Sequence, residues 1–377
     1  MEHLEDNAEL HALVALNLIQ GIGGHITRQL VSYCGSASDV FNTTKGKLLK
    51  VPGIGNKLAD SIISHKVFEQ AEAVIFQAQR DNVEILTVFD KHYPDRLKSL
   101  DDAPPLLYYK GNVGLNHERV LAIVGTRQAT KYSHDLLQEF LSDLIPYDVQ
   151  VVSGLALGVD IIAHRQSLKN GIPTIGVMAN GLDIVYPADH KKTAHEMTTA
   201  GGLLTENAFG SKPDAPKFPA RNRIIAGMSD AIIVVEAAAK GGAQITAQIA
   251  NSYNKDVFAF PGPVNAPYSI GTNQLIKSHQ ANLITSVKDL EYILGWTTNP
   301  NEDAKAEKPK INLAELDLDP TELKTLTALE EVDKIVLDEL SRKTGLAVNQ
   351  LSTTLLMLEF KGLVKPLPGQ LFTSCLN

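Results

Sequence analysis

Between Val120 and Val235, small residues, hydroxyls and arginines gather at the ends of apolar runs. Gly125-Thr126-Arg127 follows Val120–Val124. Ser153-Gly154-Leu155-Ala156-Leu157-Gly158-Val159-Asp160 follows Val149–Val152, with Ala163-His164 next. Asn180-Gly181 follows Thr174–Met178, and Glu206-Asn207 follows Leu203–Thr205. Phe218-Pro219-Ala220-Arg221-Asn222-Arg223 precedes Ala231–Val235, while Glu236, Lys240-Gly241-Gly242 and Thr246 come after it. Backbone N–H groups of tight turns walled by guanidinium groups suit a phosphate. The chemistry indicated is anion binding. Asp160, His164 and Glu206 suggest acid–base work, but no nucleophile motif, metal-ligand spacing or P-loop accompanies them. His164 reads as a packing or hydrogen-bonding residue, and the two carboxylates as groups that orient arginines and loop amides.

Eight apolar runs would hold these residues: Val83–Val88, Val120–Val124, Val149–Val152, Thr174–Met178, Leu203–Thr205, Ala231–Val235, Val257–Phe260 and Asn282–Ile284. Most gaps from Val120 onward are long enough for a helix, which predicts a parallel sheet covered on both faces. In such sheets ligands bind outside the carboxyl ends of the strands. The segment 1–78 reads as helical, with Glu9–Leu18, Thr27–Tyr33 and Leu58–His65 carrying helical periods. Its Gly21-Ile22-Gly23-Gly24 and Val51-Pro52-Gly53-Ile54-Gly55-Asn56-Lys57 stretches are either helix-hairpin-helix phosphate sites or tight turns of a small bundle. Residues 297–312 have linker composition. Beyond them Asp319–Glu330, Asp333–Leu340 and Ala347–Phe360 fit three helices, and Leu363–Leu367 with Gln370–Thr373 a hairpin. With a turn at Thr344-Gly345, that order predicts a winged helix over 313–377.

The 377 residues suffice for two to three domains of about 100–200 residues. Two cysteines, Cys34 and Cys375, make a disulfide framework implausible and point to a reducing cytoplasm. No apolar run reaches the roughly 18 residues that span a bilayer. The acidic start, Met1-Glu-His-Leu-Glu-Asp, lacks the order of a signal peptide. A net charge of −8 argues against a surface coated in nucleic acid, yet allows a basic cleft acting within a Debye length. From Asn301 onward 9 Lys and Arg face 13 Asp and Glu. The second helix of the winged module offers Asn349, Gln350, Ser352, Thr353, Thr354 and Glu359, without an arginine. A DNA-reading helix brings cations to the backbone, so a protein-contact or structural role is expected here.

The run from Val120 to Asn282 resembles the DNA-processing protein A (DprA/Smf) family. The resemblance rests on Gly125-Thr126-Arg127, Ser153-Gly154-Leu155-Ala156, Asp160, Ala163-His164, Gly181, Tyr186-Pro187, Glu206 and the Phe218–Arg223 block. Val235-Glu236, Thr246-Ala247, Pro261-Gly262, Gly271-Thr272-Asn273 and Leu275-Ile276 continue it. Upstream, Tyr93-Pro94 and Pro104–Gly111 look like the family's lead-in to this domain. The chain departs from the family at Leu157, usually basic, at Gly241-Gly242-Ala243-Gln244, usually Ser-Gly-Ser-Leu, and at Gln280-Ala281, commonly Gly-Ala. The first weakens a phosphate contact and the second removes two hydroxyls.

The resemblance implies an α/β fold: an extended Rossmann-like doubly wound sheet over 79–296. It is flanked by an N-terminal helical (helix-hairpin-helix/SAM-like) domain and a C-terminal winged helix. It implies a cytoplasmic, non-enzymatic protein that binds and protects single-stranded DNA and loads RecA recombinase in natural transformation and homologous recombination. It also implies a homodimer built through the Rossmann-like domain, with no cofactor, metal or membrane. Arg127 would pair with a phosphate or stack on a base, or else form an ion pair with Asp160 or Glu236. Gly125, Thr126, Ser153, Gly154 and Ala156 would line the DNA with N–H and hydroxyl donors, while also making tight turns. Arg221 and Arg223 flank Asn222 on a segment read as extended, so they point to opposite sides. Arg221 is assigned to phosphate; Arg223 is either a DNA contact or structural. Phe218 either stacks on an unpaired base, worth about 1–3 kcal/mol, or fills the core. Lys217 and Lys240 add general attraction. The alternative function is a nucleotide-binding hydrolase of the related Rossmann-like superfamily, imitated by Glu236, Gly241-Gly242, Thr246 and Arg221. Its Pro-Gly-Gly-x-Gly-Thr order is missing.

Overall fold

The computed structural model describes residues 2–298, 318–330, 335–361, 363–367 and 371–374. They fall into two compact units, within Met1–Thr298 and within Asn299–Asn377.

All eight predicted runs form strands of one sheet: β1 (Glu84–Thr87), β3 (Arg119–Val124), β4 (Val149–Ser153), β5 (Thr174–Val177), β6 (Gly201–Thr205), β7 (Ala231–Val234), β8 (Asp256–Ala259) and β9 (Asn282–Leu283). A ninth, β2 (Leu106–Gly111), was read only as a lead-in. The order is β1-β2-β6-β5-β4-β3-β7-β8-β9. From β6 to β9 all pairings are parallel, whereas β2 pairs antiparallel with both β1 and β6. The central strands bury both faces, hence their unbroken apolar runs. Val120, Ala122 and Val124 of β3 enter one core with Val152, Val177 and Ile232. Leu121 and Ile123 enter the other with Val151, Ile233 and Phe258.

The expected helices of the amino-terminal segment are Glu2–Leu18, Gly24–Cys34 and Asn56–Ile63. Further helices, among them Ala37–Asn42 and Phe68–Arg80, complete the bundle, the last crossing residue 78 before it ends. Leu13, Leu16, Leu30, Val40, Leu48 and Ile62 share a core with Leu106 of β2. The bundle is thus packed on the sheet's lead-in. Its two hairpins differ in surroundings. A Cβ on Gly24 would strike the carbonyl of Ala103, while one on Gly53 or Gly55 would meet open space. Arg28 reinforces the first contact by donating to the carbonyls of Leu100 (3.0 Å) and Asp101.

The carboxyl-terminal unit contains the helices Pro320–Glu330, Leu337–Thr344 and Val348–Phe360, then β11 (Val364–Leu367) and β12 (Leu371–Ser374). Gly345 takes the left-handed turn (φ 68°) after the second helix. That helix starts at Leu337, later than Asp333, because β10 (Ile335–Val336) pairs with Phe372 and Leu371 of β12. β-branched residues favour such pairing over the helix. Residues 331–334, most of the 297–312 linker and Gln370 lie outside the described residues. On Val348–Phe360, Asn349, Gln350, Ser352, Thr353 and Glu359 are exposed. Thr354 is buried and donates to the carbonyl of Gln350 (3.0 Å). Among the described residues no helix is long and apolar enough to cross a membrane.

His164, on the helix Val159–Lys169, is fully buried under the sheet. Thr174 donates its hydroxyl proton to the carbonyl of Val151 (3.1 Å), so the histidine's Nδ1–H donates to that hydroxyl (2.7 Å). Burial, helped by Arg221 and His190, pushes its pKa down to about 3 and keeps the ring neutral.

Two predictions follow from this packing. Gly24→Ala should cost about 1–3 kcal/mol through overpacking and lower the thermal midpoint, read by calorimetry. Gly46→Ala, with open space around it, should leave the midpoint unchanged or slightly raised. Between pH 6.5 and about 3 the unfolded chain protonates His164 and the folded chain does not. Stability therefore falls with pH in that window, by about 2 kcal/mol at pH 5 from this group alone. Denaturant titrations of His164→Gln should show a correspondingly shallower acid slope; parallel curves would mean the buried ring is protonated.

Candidate nucleic-acid interface

The strand order reverses at β3: β4, β5 and β6 lie on one side of it, β7, β8 and β9 on the other. At such a switch point the connections diverge and leave a crevice beyond the strand ends. Here the crevice is a cleft of about 690 Å³. Of the residues predicted from sequence, Gly125, Thr126, Arg127, Ala156, Phe218, Arg221, Asn222 and Lys240 line it. Gly154 borders a smaller adjoining hollow. Ser153, Lys217 and Arg223 line neither.

Arg127 stands exposed on the turn after β3, its guanidinium carbon 5.0 Å from the centroid of the Phe218 ring. The half-buried Phe218 ring lies 6.1 Å from the exposed Tyr186 ring, tilted by 53°. One wall of the cleft is therefore a cation and two aromatic rings in sequence. Among the described residues Arg127 forms no ion pair with Asp160 or Glu236. The Glu236 carboxylate instead accepts hydrogen bonds from Thr130 and Ser133.

The floor differs from the expectation. Arg221, Asn222 and Arg223 lie on a helix, Lys217–Met228, and not on an extended segment. Residues two apart on a helix diverge by about 200°, so the two arginines still separate. Arg221 turns inward and is 4% exposed. Its Nη1 donates to the carbonyls of Gly154 and Val177, at the ends of β4 and β5, and its Nε to Asn222 (3.2 Å). The guanidinium lies against Gly154, where any Cβ would collide with it. Burial pulls its pKa down to about 10, against the support of Asp160, so it remains a cation at neutral pH. Burial likewise raises Asp160, opposed by Arg221 and by the amides of Ala156 and Gly154.

Ser153 and Gly154 are not free donors, because the turn after β4 uses its polar groups internally. Ser153 donates its hydroxyl to the carbonyl of Ile123 (2.6 Å), and the N–H groups of Gly154 and Ala156 donate to Asp160 (3.2 and 3.4 Å). The N–H of Thr126 is similarly engaged by the carbonyl of Glu236 (2.7 Å). Leu155 adopts positive φ (54°), and its carbonyl accepts from Nδ1 of the buried His190 (2.9 Å). Asp160 thus orients loop amides, as expected from sequence.

Arg223 forms an ion pair with Glu206 and donates to the carbonyl of Asp102, away from the cleft. Its place is structural. Lys217 donates to the carbonyl of Lys212 (3.0 Å). Lys240 is exposed beside Gly241 and Gly242, where the helix Gly242–Ser252 starts without a side-chain cap. Its uncapped N–H groups add positive potential to the cleft. Sequence reasoning did not place His190, and it left Glu236 without a definite role. Its place after an apolar run and in the Val235-Glu236 match singled Glu236 out, but nothing local points to Thr130 and Ser133 as its partners.

The family model for DNA recombination-mediator protein A matches residues 84–294. Models for a DprA winged helix domain and a SAM-like helix-hairpin-helix tandem match 309–370 and 14–65. Protein Smf of Synechocystis is 32% identical over 395 residues, covering 96% of this chain and 98% of its own length. The crystal structure of DNA processing protein A from Streptococcus pneumoniae superposes with a TM-score of 0.63 at 28% identity, over 78% of this chain and 98% of that one. DNA processing protein A from Helicobacter pylori, described for its single-stranded DNA binding mode, gives a TM-score of 0.51 at 32% identity, over 56% and 95%. By its model match across the sheet domain and its near full-length likeness to Smf, the chain belongs to the DNA recombination-mediator protein A (DprA/Smf) family.

Proposed function

We propose that the chain binds single-stranded DNA in the strand-end cleft, protects it, and delivers it to RecA recombinase in transformation and recombination. The observation that carries this reading is the wall formed by Arg127, Phe218 and Tyr186 along the cleft at the strand ends. A backbone phosphate pairs with a guanidinium, and a splayed base stacks on an aromatic face. Neither contact reads sequence, so recognition tolerates any base order. A duplex keeps its bases stacked inside and cannot offer them to the rings. The Streptococcus and Helicobacter relatives support the DNA assignment. Delivery to RecA and pairing of two chains through the sheet domain rest on family membership.

The protein acts in this proposal as a binder and not as an enzyme. Glu236, the carboxylate of the hydrolase alternative, does not line the cleft and is already engaged by Thr130 and Ser133. A general base needs a carboxylate within reach of its substrate.

Fluorescence anisotropy with labelled oligo-dT and a matched duplex, titrated against salt, tests the reading. Tight, salt-sensitive binding of the single strand is expected, with the duplex much weaker. Arg127→Ala should weaken the single strand by about 1–3 kcal/mol, roughly 5- to 150-fold, with the fold retained. Wild-type affinity in that variant would remove Arg127 from the site. Release of free base from nucleoside monophosphates would overturn the non-enzymatic reading.

A further inference from the structure

Glu236 sits two residues after the end of β7, 3% exposed, and does not line the cleft, although its neighbours Ala237 and Ala238 do. It holds the turn that carries Arg127 from both ends. Its backbone carbonyl accepts the N–H of Thr126 (2.7 Å), one residue before Arg127. Its carboxylate accepts the N–H (3.0 Å) and the hydroxyl (2.9 Å) of Thr130, three residues after, and the hydroxyl of Ser133. Thr130 and Ser133 are the cap and a first-turn residue of the helix Lys131–Asp143, where a negative charge is favoured. Between these anchors the turn closes on itself: the N–H of Gln128 donates to the hydroxyl of Thr126 (3.1 Å), and Tyr268 donates to the Gln128 side chain. Behind it, the N–H of Val159 donates to the carbonyl of Thr126 (3.1 Å).

We infer that Glu236 is the positioning residue for Arg127: it fixes the backbone from which that exposed guanidinium reaches Phe218 and the DNA phosphate. This rests on the proposed DNA site. Removing the carboxylate leaves Thr130 and Ser133 with donors to satisfy elsewhere and loosens the Thr130 end of the turn, while the backbone bonds at Thr126 remain. An arginine on a mobile turn loses more entropy on pairing with phosphate. The loss should therefore appear as a weakened Arg127 contact and not as a second, independent contact.

The experiment is a double-mutant cycle on the full-length protein with labelled oligo-dT at several salt concentrations. Glu236→Gln should bind three- to tenfold more weakly while its thermal transition stays cooperative. Its slope of log affinity against log salt should shrink in the same direction as in Arg127→Ala, but by less than the about 0.7 that complete loss of one phosphate contact on a single strand produces. In the Arg127→Ala background Glu236→Gln should cost nothing further. Thr130→Val, which removes one donor, should give a smaller loss in the same direction. Wild-type affinity and slope in Glu236→Gln, or a loss fully additive with Arg127→Ala, would overturn the assignment. Should Glu236→Gln fail to fold, Thr130→Val and Ser133→Ala carry the same cycle with the same criteria. A case in which Arg127→Ala itself binds like wild type removes Arg127 from the DNA site and overturns this inference with it. A loss in Arg127→Ala with none in the Glu236 set overturns the positioning role alone.

Discussion

Parallel strands that end in a crevice leave carbonyls pointing at it, and this fold answers them with a buried cation. Arg221 joins the ends of β4 and β5 through Gly154 and Val177, while Asp160 supplies the countercharge. An isolated buried charge costs several kcal/mol, so neither member of this pair is replaceable alone. Asp160 in turn holds two amides of the turn that contains Leu155 at positive φ. Glycine at 154 is required because the guanidinium occupies the space of its side chain. The floor of the cleft is therefore built as one unit, in place whether or not a ligand is bound.

That arrangement reconciles an acidic protein with an anionic ligand. The net charge of −8 is a property of the whole chain, while binding depends on charges within about a Debye length. Among the residues that line the cleft, Arg127, Arg221 and Lys240 outnumber Asp160 and Asp214, whose carboxylates accept backbone N–H groups, and an uncapped helix start adds to the positive side. Attraction here is local. Acidic surface elsewhere limits indiscriminate adhesion to nucleic acid.

Much of this was legible in the residues. Arg127 and Phe218 were visible because one ends an apolar run and the other opens a basic block. The strands were visible because a strand buried on both faces has nowhere to place a polar residue. The fate of Arg221 was not legible, since its partners lie 67 and 44 residues away and only the folded sheet brings them to the guanidinium. The block around it reads as extended, yet proline fits the first turn of a helix, and Pro219 lies there. Strand β2 was obscured by Pro104-Pro105, and its partner β6 follows almost a hundred residues later. In the winged helix, Ile335 and Val336 continue a helical period but are claimed by β12. For Arg221, β2 and β10 a non-local contact decided the outcome; the helix around Arg221 was a misread local signal.

Strand β2 has a consequence for how the amino-terminal segment behaves as a body. Leu106 is counted in the helical core, while Tyr108 and Lys110 register with Thr205 and Leu203 of the central sheet. A strand that belongs to two cores at once makes their opening a shared event. Helix bundles usually fold from near contacts, whereas this one closes its core with a strand of the sheet. Bundle and sheet belong to one compact unit, and shared packing of this kind couples their opening.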